Sequence, residues 1–262
     1  MPLPLSYPGL KCVLEHLEAV KRVHIIARAP GLQKVDRLIP FCLENLNIGN
    51  NDLAINKLLI VCDKDEVKFK MNGKECSRKT LEILREKMKN FLNVYIRGRS
   101  KIRLNKLNWL RKSLADFMPV DLKLKVNKLQ ALFPGDFETS RSLIDPRSYP
   151  LKTVATIPLI SAFDNQIVTL AETLILRFVD DFIVTVEELK KLNNKTVIIE
   201  CFESKIDFIP LIKYHIETKK DIRTTFRIST DTIGVINEML REFEQAFGEF
   251  QYNLDGVDER YV

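Results

Sequence analysis

The side chains that most often carry acid–base, nucleophilic or metal chemistry are few in this chain and are not grouped in its sequence. The three histidines, His16, His24 and His215, are too few and too widely separated for an H-E-x-x-H zinc motif or a histidine-rich metal cluster. The sequence also lacks the G-x-x-x-x-G-K-S/T, G-x-G-x-x-G and G-x-S-x-G signatures of phosphate, dinucleotide and nucleophile-elbow sites. We therefore expect a protein that is not an enzyme and that uses no metal and no cofactor.

The basic stretch from residue 97 to residue 112 is the segment best suited to bind a partner. Its cations are Arg97, Arg99, Lys101, Arg103, Lys106, Arg111 and Lys112, and all of these except Lys106 are assigned to a possible basic partner surface. Tyr95 and Trp109 accompany them, so a nucleic acid could lay its phosphates along the cations and stack bases on the two rings. No recognition helix, KH loop or aromatic RNP run is present, and Trp109 also fits the apolar face of a helix. An acidic protein partner or a plain solvated surface is therefore favoured over nucleic acid.

Charge is distributed unevenly along the 262 residues, which carry a formal net charge of +6. Residues 46–130 contain 20 Lys and Arg against 9 Asp and Glu, a charge of +11, whereas residues 131–262 contain 15 against 22, a charge of −7. This separation predicts two surfaces that attract different partners. With 45% hydrophobic residues the chain is too apolar for a disordered protein, so we expect a globular one.

The cysteines and the first residues predict an intracellular protein. Five cysteines are spread along the chain without a C-x-x-C pair, so neither a disulfide framework nor a zinc knuckle is indicated. The N-terminus lacks the basic head and apolar core of a signal peptide, and no apolar run is long enough to span a bilayer. We expect the protein in the cytoplasm, the nucleus or both, away from membranes.

Strand and helix patterns alternate from about residue 55 onward, which predicts an α/β fold. Strands are predicted at 57–62, 67–71, 93–96, 120–126, 151–156, 173–177, 196–201, 222–228 and 249–254. Helices are predicted at 78–91, 104–117, 186–192, 206–218 and 232–247. From residue 94 on, successive strands begin 21 to 31 residues apart, and a step of roughly 20–29 residues is typical of leucine-rich repeats.

The short leucine spacing of such repeats occurs in the run Leu122-x-Leu124-x-Val126-x-x-Leu129. No Asn or Cys recurs at a fixed position, so we predict an irregular leucine-rich-repeat-like array over residues 46–262, with an ordinary open α/β sheet as the alternative. In a curved array, the outward side chains of the strands would bind a target protein. The candidates on that strand face are Lys123, Lys125, Arg177, Glu200 and Arg227.

The first 45 residues predict a small module of three short helices. Leu10, Val13, Leu14 and Leu17 follow helical spacing, and Pro40 ends the third helix. Three helices of about ten residues bury little apolar surface by themselves, so such a module needs a partner. That partner is either another protein or the exposed end of the repeat array.

Residues 5–17 resemble an F-box. That motif has a leading leucine, apolar positions a few residues later, an aliphatic pair, and a leucine three residues after the pair. The matching positions in this chain are Leu5, Leu10, Val13, Leu14 and Leu17. With the strand–helix repeats that follow, the chain is similar to the F-box-like proteins that are expanded in nematodes, and residues 208–226 resemble their F-box-associated region.

The resemblance implies a substrate receptor of an SCF-type cullin–RING ubiquitin ligase. In such a receptor the F-box helices bind a Skp-type adaptor, which links them to the ligase, and the C-terminal repeats hold a target protein for ubiquitin transfer. The residues that the resemblance assigns to the adaptor are Leu5, Pro8, Leu10, Val13, Leu14 and Leu17. The alternatives are a scaffold or inhibitor that binds no adaptor, and a nucleic-acid-binding protein that uses residues 97–112.

Overall fold

The computed structural model describes residues 7–96, 98–99, 101–109, 122–178, 185–201, 209–218, 224–230 and 233–248. The chain begins with three helices, and the first strand follows directly after them. These elements are α1 (Tyr7–His16), α2 (Ala19–Arg28), a 3₁₀ turn (Pro30–Leu32), α3 (Gln33–Leu38) and β1 (Phe41–Ile48). The predicted module boundary at residue 45 therefore falls inside β1, which belongs to the sheet.

Within the described residues, ten further strands and seven further helices follow β1. The strands are β2 (Asp52–Ile55), β3 (Leu58–Cys62), β4 (Glu66–Met71), β5 (Lys74–Lys79), β6 (Ile102–Trp109), β7 (Leu124–Ala131), β8 (Thr153–Thr156), β9 (Thr173–Phe178), β10 (Thr196–Cys201) and β11 (Thr225–Thr230). The helices are α4 (Leu84–Ile96), α5 (Pro134–Leu143), α6 (Ile160–Phe163), α7 (Gln166–Thr169), α8 (Val186–Lys190), α9 (Ile209–Thr218) and α10 (Ile233–Phe247). None of the helices in this part of the chain combines the length and apolarity needed to cross a membrane.

All the strands in the described chain belong to one mixed sheet, ordered β11-β10-β9-β8-β7-β6-β1-β2-β3-β4-β5. Seven of them, β1 and β6 to β11, run parallel and lie side by side in chain order. Strands β1 to β5 form an antiparallel meander on the other side of β1. The predicted α/β fold class is confirmed: N-terminal helices are followed by a long sheet interleaved with helices.

The order of the parallel strands distinguishes two α/β architectures. A doubly wound sheet reverses its strand order at a switch point, whereas a repeat array adds each strand beside the previous one. The order from β6 to β11 is of the second kind. The connection from β7 to β8 contains α5, and the connection from β8 to β9 contains α6 and α7. The next two connections contain α8 and α9, respectively.

Buried side chains recur with one spacing in three of the parallel strands. In β1, β6 and β7 the buried positions are the first, third, sixth and eighth. The pairing register aligns these positions, so equivalent apolar residues lie opposite one another in rows across the sheet. One such row of buried residues runs through Leu46, Leu107, Leu129, Val154, Leu174 and Val197.

Two of the elements predicted from the sequence, at residues 93–96 and 104–117, are wrong. Residues 93–96, predicted as a strand, form the end of α4, and residues 104–109, predicted as the start of a helix, form most of β6. The three-residue step from Leu104 to Leu107 imitates helical periodicity, but it is the step between the third and sixth positions of the strand pattern. Residues 110–117 of that predicted helix lie outside the described residues.

Other predicted elements differ at their ends. The helix predicted at 78–91 begins at Leu84, because β5 continues to Lys79. The strand predicted at 120–126 begins at Leu124 and continues to Ala131. The strand predicted at 249–254 lies outside the described residues.

A buried ion cluster joins α2 and α3 to the sheet. The buried guanidinium of Arg22 forms an ion pair with Asp36 and donates hydrogen bonds to the backbone oxygens of Asp36, Ile39 and Pro40, at 2.8, 3.1 and 3.0 Å. Arg99, just before β6, forms a second ion pair, with 3.0 Å between its Nη1 and Oδ2 of Asp36. We call Arg22, Asp36 and Arg99 the Arg–Asp–Arg cluster.

Phe41, the first residue of β1, packs against this cluster. The guanidinium carbon of Arg99 is 3.8 Å from the centroid of the Phe41 ring, and that of Arg22 is 5.8 Å from it. Because burial disfavours the charged guanidinium, the pKa of Arg99 is lowered, although Asp36 acts in the opposite direction. One carboxylate thus balances two cations that are both withdrawn from water.

Replacing Asp36 by asparagine keeps the shape of the side chain and removes its charge. Arg22 and Arg99 then stay buried without a counter-charge, and we expect the free energy of unfolding to fall by about 3–5 kcal/mol. Urea denaturation followed by circular dichroism measures this change.

Asp164→Asn is the matched control, because Asp164 pairs with Lys191 at 3.1 Å on the protein surface. We expect that substitution to cost less than about 1 kcal/mol, since exposed ion pairs contribute little. Equal losses in the two variants would contradict a dominant role for the buried cluster.

Candidate functional site

The outward side chains at the start of β6 and β7 are mainly basic. Since Ile102 and Leu104 are buried, their neighbours Lys101 and Arg103 project from the opposite side of the sheet. Lys106 also lies on that side, next to the buried Leu107, which follows Leu104 after three residues. Strand β7 repeats this arrangement with three lysines. We call the six residues the cationic face: Lys101, Arg103, Lys106, Lys123, Lys125 and Lys128.

The strand register places like charges beside each other on this face. Arg103 lies opposite Lys125, and Lys106 lies opposite Lys128. The residues paired with them on β1 and β8 are uncharged: Cys42, Asn45 and Thr153. The concentration of positive charge is therefore confined to two adjacent strands.

Two adjoining depressions lie over these strands. The first, of about 460 Å³, is lined mainly by charged residues: Lys101, Arg103, Lys123, Lys125, Asp145 and Arg147. The second, of about 360 Å³, shares Arg103 and Lys125 with the first and extends over polar residues of β1, β6 and β7: Cys42, Glu44, Asn105 and Asn127. A ligand on the cationic face would have both basic groups and side-chain amides within reach.

The carboxylates that line these depressions already have partners. Asp145 forms an ion pair with Arg147, with 2.7 Å between Oδ2 and Nη2, and the hydrogen bonds from Arg147 lower the pKa of Asp145 to about 2. Glu44 accepts a hydrogen bond of 2.6 Å from the side-chain amide of Asn105. Nowhere in the described residues does a carboxylate form a salt bridge with the cationic face.

The structure separates the residues predicted for the basic partner surface. Lys101 and Arg103 belong to the cationic face. Arg99 does not, because its guanidinium is buried in the Arg–Asp–Arg cluster, where Asp36 neutralises it. The other three predicted residues lie outside the described residues: Arg97, Arg111 and Lys112.

Of the residues predicted on the strand face to bind a target, only some belong to the cationic face. Lys123 and Lys125 belong to the cationic face. Arg177 and Glu200 lie opposite each other on β9 and β10 and form an ion pair of 2.8 Å, so their charges cancel locally. Arg227 is exposed on β11, away from the two basic strands.

Two basic residues of this site, Lys128 and Arg147, were not predicted from the sequence. The signal for Lys128 was present, because the basic residues at 101, 103 and 106 recur at 123, 125 and 128 with identical spacing. In β6 and β7 each of these basic residues directly precedes a buried residue, so the cations have the same spacing as the buried side chains and lie on the other side of the sheet. Arg147 had no such signal, since it reaches the depression from the 3₁₀ turn Pro146–Ser148 after α5.

The two aromatic residues considered for base stacking lie inside the protein. Tyr95 is 4% exposed and Trp109 is 0% exposed. Tyr95 packs edge-on against His24, with ring centroids 6.2 Å apart. Neither ring is accessible to a base, so the cationic face offers electrostatic attraction to a nucleic acid without these two stacking surfaces.

The N-terminal helices have a small apolar cluster of their own. Leu14 is buried against Ile26 of α2 and Ile39 after α3, and the half-buried Leu10 packs on them. Leu14 is thus occupied within the module, where it holds the three helices together.

The other residues assigned to the adaptor are placed differently. Pro8 is exposed, Val13 is 49% exposed, and Leu17 is half-buried. Leu5 lies outside the described residues. Three more large apolar side chains of these helices are exposed: Tyr7, Ile25 and Leu38.

The helices attach to the sheet, but not at its end. Helix α2 contacts β1 and α4, and its residues Ala19, Val20 and Val23 belong to the main core. Strand β1 lies inside the sheet, whose edge strands in the described chain are β5 and β11. The module therefore does not cap an exposed end of the array, which was one of the predicted roles.

A further cavity of about 880 Å³ lies between α5, the loop before β8, and α6 and α7. Its charged lining residues, Glu138, Arg141 and Asp164, have both signs, and the buried Tyr149 hydroxyl has no hydrogen-bond partner. Among the residues described, no three His, Cys, Asp or Glu side chains are placed to hold a metal ion. Because charge is not concentrated here, the cationic face is the stronger candidate site.

Comparison with known proteins places the array in a family. A family profile described as a domain of unknown function (DUF3557) matches residues 83–232, more than half of the chain. The matched region extends from just before α4 to just after β11 and includes the cationic face. It leaves out α1 to α3, so the F-box resemblance has no counterpart in this match. No curated protein and no solved structure matches the chain.

Trp109 is the single tryptophan of the chain and reports directly on its own burial. We expect iodide to quench the fluorescence of the native protein much less than that of the urea-unfolded protein, and a single-stranded oligonucleotide not to quench it. Strong quenching of the native protein by either agent would contradict the placement of Trp109 inside the sheet.

Asp145 gives a pH-dependent prediction. Its folded-state pKa of about 2 lies below the ordinary value of 3.8, so its ion pair with Arg147 stabilises the fold above the ordinary pKa and is lost as the pH falls through about 2. We expect the Asp145 carboxyl carbon, followed by NMR, to remain in its ionised position at pH 3. In Arg147→Ala the backbone N–H hydrogen bond to Asp145 stays, so the midpoint should rise from about 2 toward the ordinary value of 3.8; an unchanged midpoint would contradict the pairing.

Proposed function

The chain belongs to the DUF3557 family. We propose that it is a non-enzymatic substrate receptor of an SCF-type cullin–RING ubiquitin ligase. The family description assigns no function, so the proposal depends on the surfaces of this chain. Helices α1 to α3 would bind a Skp-type adaptor, and the outward face of the strand array would bind a target protein. The receptor would hold the target near a ubiquitin-loaded enzyme and so raise its effective concentration, without bond chemistry of its own.

One observation carries the adaptor half of the proposal. Tyr7, Val13, Ile25 and Leu38 are large apolar side chains on three short helices, and they are 43–69% exposed. Single exposed apolar residues are ordinary, but four in one small module leave apolar area that the groove of a partner would cover. The F-box resemblance of residues 5–17 points to the same helix, α1.

The packing divides the residues assigned to the adaptor into two roles. Leu10 and Leu14 hold the helices together through the small cluster with Ile26 and Ile39. Pro8 and Val13 are directed outward and are the α1 residues that we assign to adaptor contact. A substitution at Leu14 would disturb the module itself, whereas a substitution at Val13 would act on the contact alone.

The array supplies the second surface, and the Arg–Asp–Arg cluster connects it to the module. Arg99 pairs with Asp36 of α3 and lies two residues before Lys101, the first residue of the cationic face. The two proposed binding surfaces therefore belong to one packed unit, which suits a mechanism based on proximity. Such a receptor would act in the cytoplasm or the nucleus, where these ligases operate.

Tyr7→Asp combined with Val13→Asp tests the adaptor contact. We expect the wild-type chain, co-expressed with a Skp-type adaptor, to co-elute with it in size-exclusion chromatography, and the double variant to elute alone. Both side chains are exposed, so the midpoint of urea unfolding should stay close to that of the wild type.

Ile160→Asp is the matched control, since Ile160 is an exposed apolar residue of α6, outside the module. This variant should co-elute with the adaptor as the wild type does. If the wild type fails to co-elute, or if the double variant co-elutes equally well, the ligase proposal is wrong and a scaffold without adaptor binding replaces it.

A further inference from the structure

The cationic face holds like charges in directly paired positions. Arg103 and Lys125, and likewise Lys106 and Lys128, lie opposite each other on strands about 5 Å apart. Like charges directly opposite on a sheet destabilise it. The face therefore carries a repulsion that a bound anion between the two strands would offset.

The described part of the chain does not supply that anion. The nearby carboxylates of Asp145 and Glu44 are engaged by Arg147 and Asn105. No salt bridge among the described residues includes either like-charge pair. Asp145 interacts electrostatically with Lys125 without forming a salt bridge with it, so within the described residues the positive charge of the face is only partly offset.

The cations and the side chains around them indicate which kind of anion fits. Five of the six residues of the cationic face are lysines, which act as separate point charges, and the guanidinium of the neighbouring Arg147 is already held by Asp145 in two contacts. Such point charges pair with phosphates as well as with carboxylates, so the choice between these anions depends on the groups around the cations. With Tyr95 and Trp109 buried, these rings add no stacking for a base. Because the amides of Asn105 and Asn127 adjoin the cations, the carboxylates of a peptide match this face better than the phosphates of a nucleic acid.

The rows of cations also set the shape of the ligand. Along each strand the three cations span five residue steps, about 16 Å at 3.3 Å per residue, which an extended segment of about six residues would cover. The side-chain amides of Asn105 and Asn127 line the adjoining depression, where Asn105 donates to Glu44 and Asn127 donates to Asn105. Each amide has a second N–H, which can bond to the backbone of such a segment. We propose that the cationic face binds an extended, carboxylate-rich segment of the target protein. The inference rests on the proposed function only for the statement that the ligand is a target.

A labelled acidic peptide tests this directly. The probe is a fluorescein-labelled peptide of ten residues in which glutamate alternates with serine, and its control has glutamine at every glutamate. We expect fluorescence anisotropy to show binding of the glutamate peptide at about 50 mM salt, weakened at least about tenfold at 300 mM because salt screens exposed charges. The glutamine peptide should not bind; equal binding of both peptides would overturn the proposal.

The Arg103→Glu variant distinguishes a loss of peptide binding from a loss of folding stability. It converts the pair with Lys125 into one of opposite charges, so the midpoint of urea unfolding should stay the same or rise, while affinity for the peptide falls at least about tenfold. Lys57→Glu makes the same change of net charge at an exposed lysine in the β2–β3 turn and should leave the affinity within about twofold. Equal losses in the two variants would show attraction by net charge alone and would overturn the proposal.

Cys42 reports where the peptide binds. It is exposed and lies opposite Arg103, whereas Cys12 and Cys76 are exposed elsewhere. The bound peptide should slow the alkylation of Cys42 by iodoacetamide and leave the other two unchanged. Unchanged alkylation of Cys42 would overturn the placement, and tighter binding of a single-stranded oligonucleotide, with Cys42 protected, would reassign the face to nucleic acid.

These measurements use the full chain without a Skp-type adaptor, so their outcome is independent of the adaptor test. The Tyr7→Asp, Val13→Asp variant keeps the cationic face intact and should bind the peptide as the wild type does. Retained peptide binding without adaptor binding would contradict the ligase proposal alone. Adaptor binding without peptide binding would contradict the cationic-face proposal alone.

Discussion

The in-register pairing of the parallel strands is the constraint on which the rest of this structure depends. Each strand lies beside the previous one, so residues at equivalent positions form rows across the sheet. The inward rows are apolar, as in Leu46, Leu107 and Leu129, and the alternation of strand side chains places the intervening positions outside. The rows of cations on β6 and β7 are thus the outward counterpart of the apolar rows in the core.

Asp36 connects this array to the N-terminal helices. Its carboxylate neutralises Arg22 on α2 and also Arg99, in the segment that leads into β6. Because a buried charge without a counter-charge costs several kcal/mol, the position of the helices is coupled to the entry of β6. The strand that carries Arg103 is therefore held in a defined relation to α2 and α3, and α1 packs on these helices through Leu14. A proximity mechanism needs such a defined relation.

The α/β class could be predicted because the strands after residue 120 and the helices α8 to α10 have a recognisable period, although α5, α6 and α7 were not predicted. The helix predicted at residues 104–109 was wrong because β6 departs from strict alternation between Leu104 and Leu107, and a three-residue step is also the mark of a helix. The site was predictable only in part. Lys101 and Arg99 look equivalent in sequence, and what separates them is Asp36, a contact distant along the chain that no local pattern reports.

The two proposed surfaces differ in their physical character, and the difference suits their separate roles. Apolar contacts in a groove give slow dissociation, whereas exposed charges mainly accelerate encounter and are weakened by salt. A receptor has to retain its adaptor while it exchanges targets, so an apolar module and a charged strand face meet these two demands. The paired like charges of Arg103 with Lys125 and of Lys106 with Lys128 destabilise the free sheet, and a bound acidic segment would offset that repulsion. Part of the interaction energy of such a segment would thus come from relieving the repulsion between these paired cations.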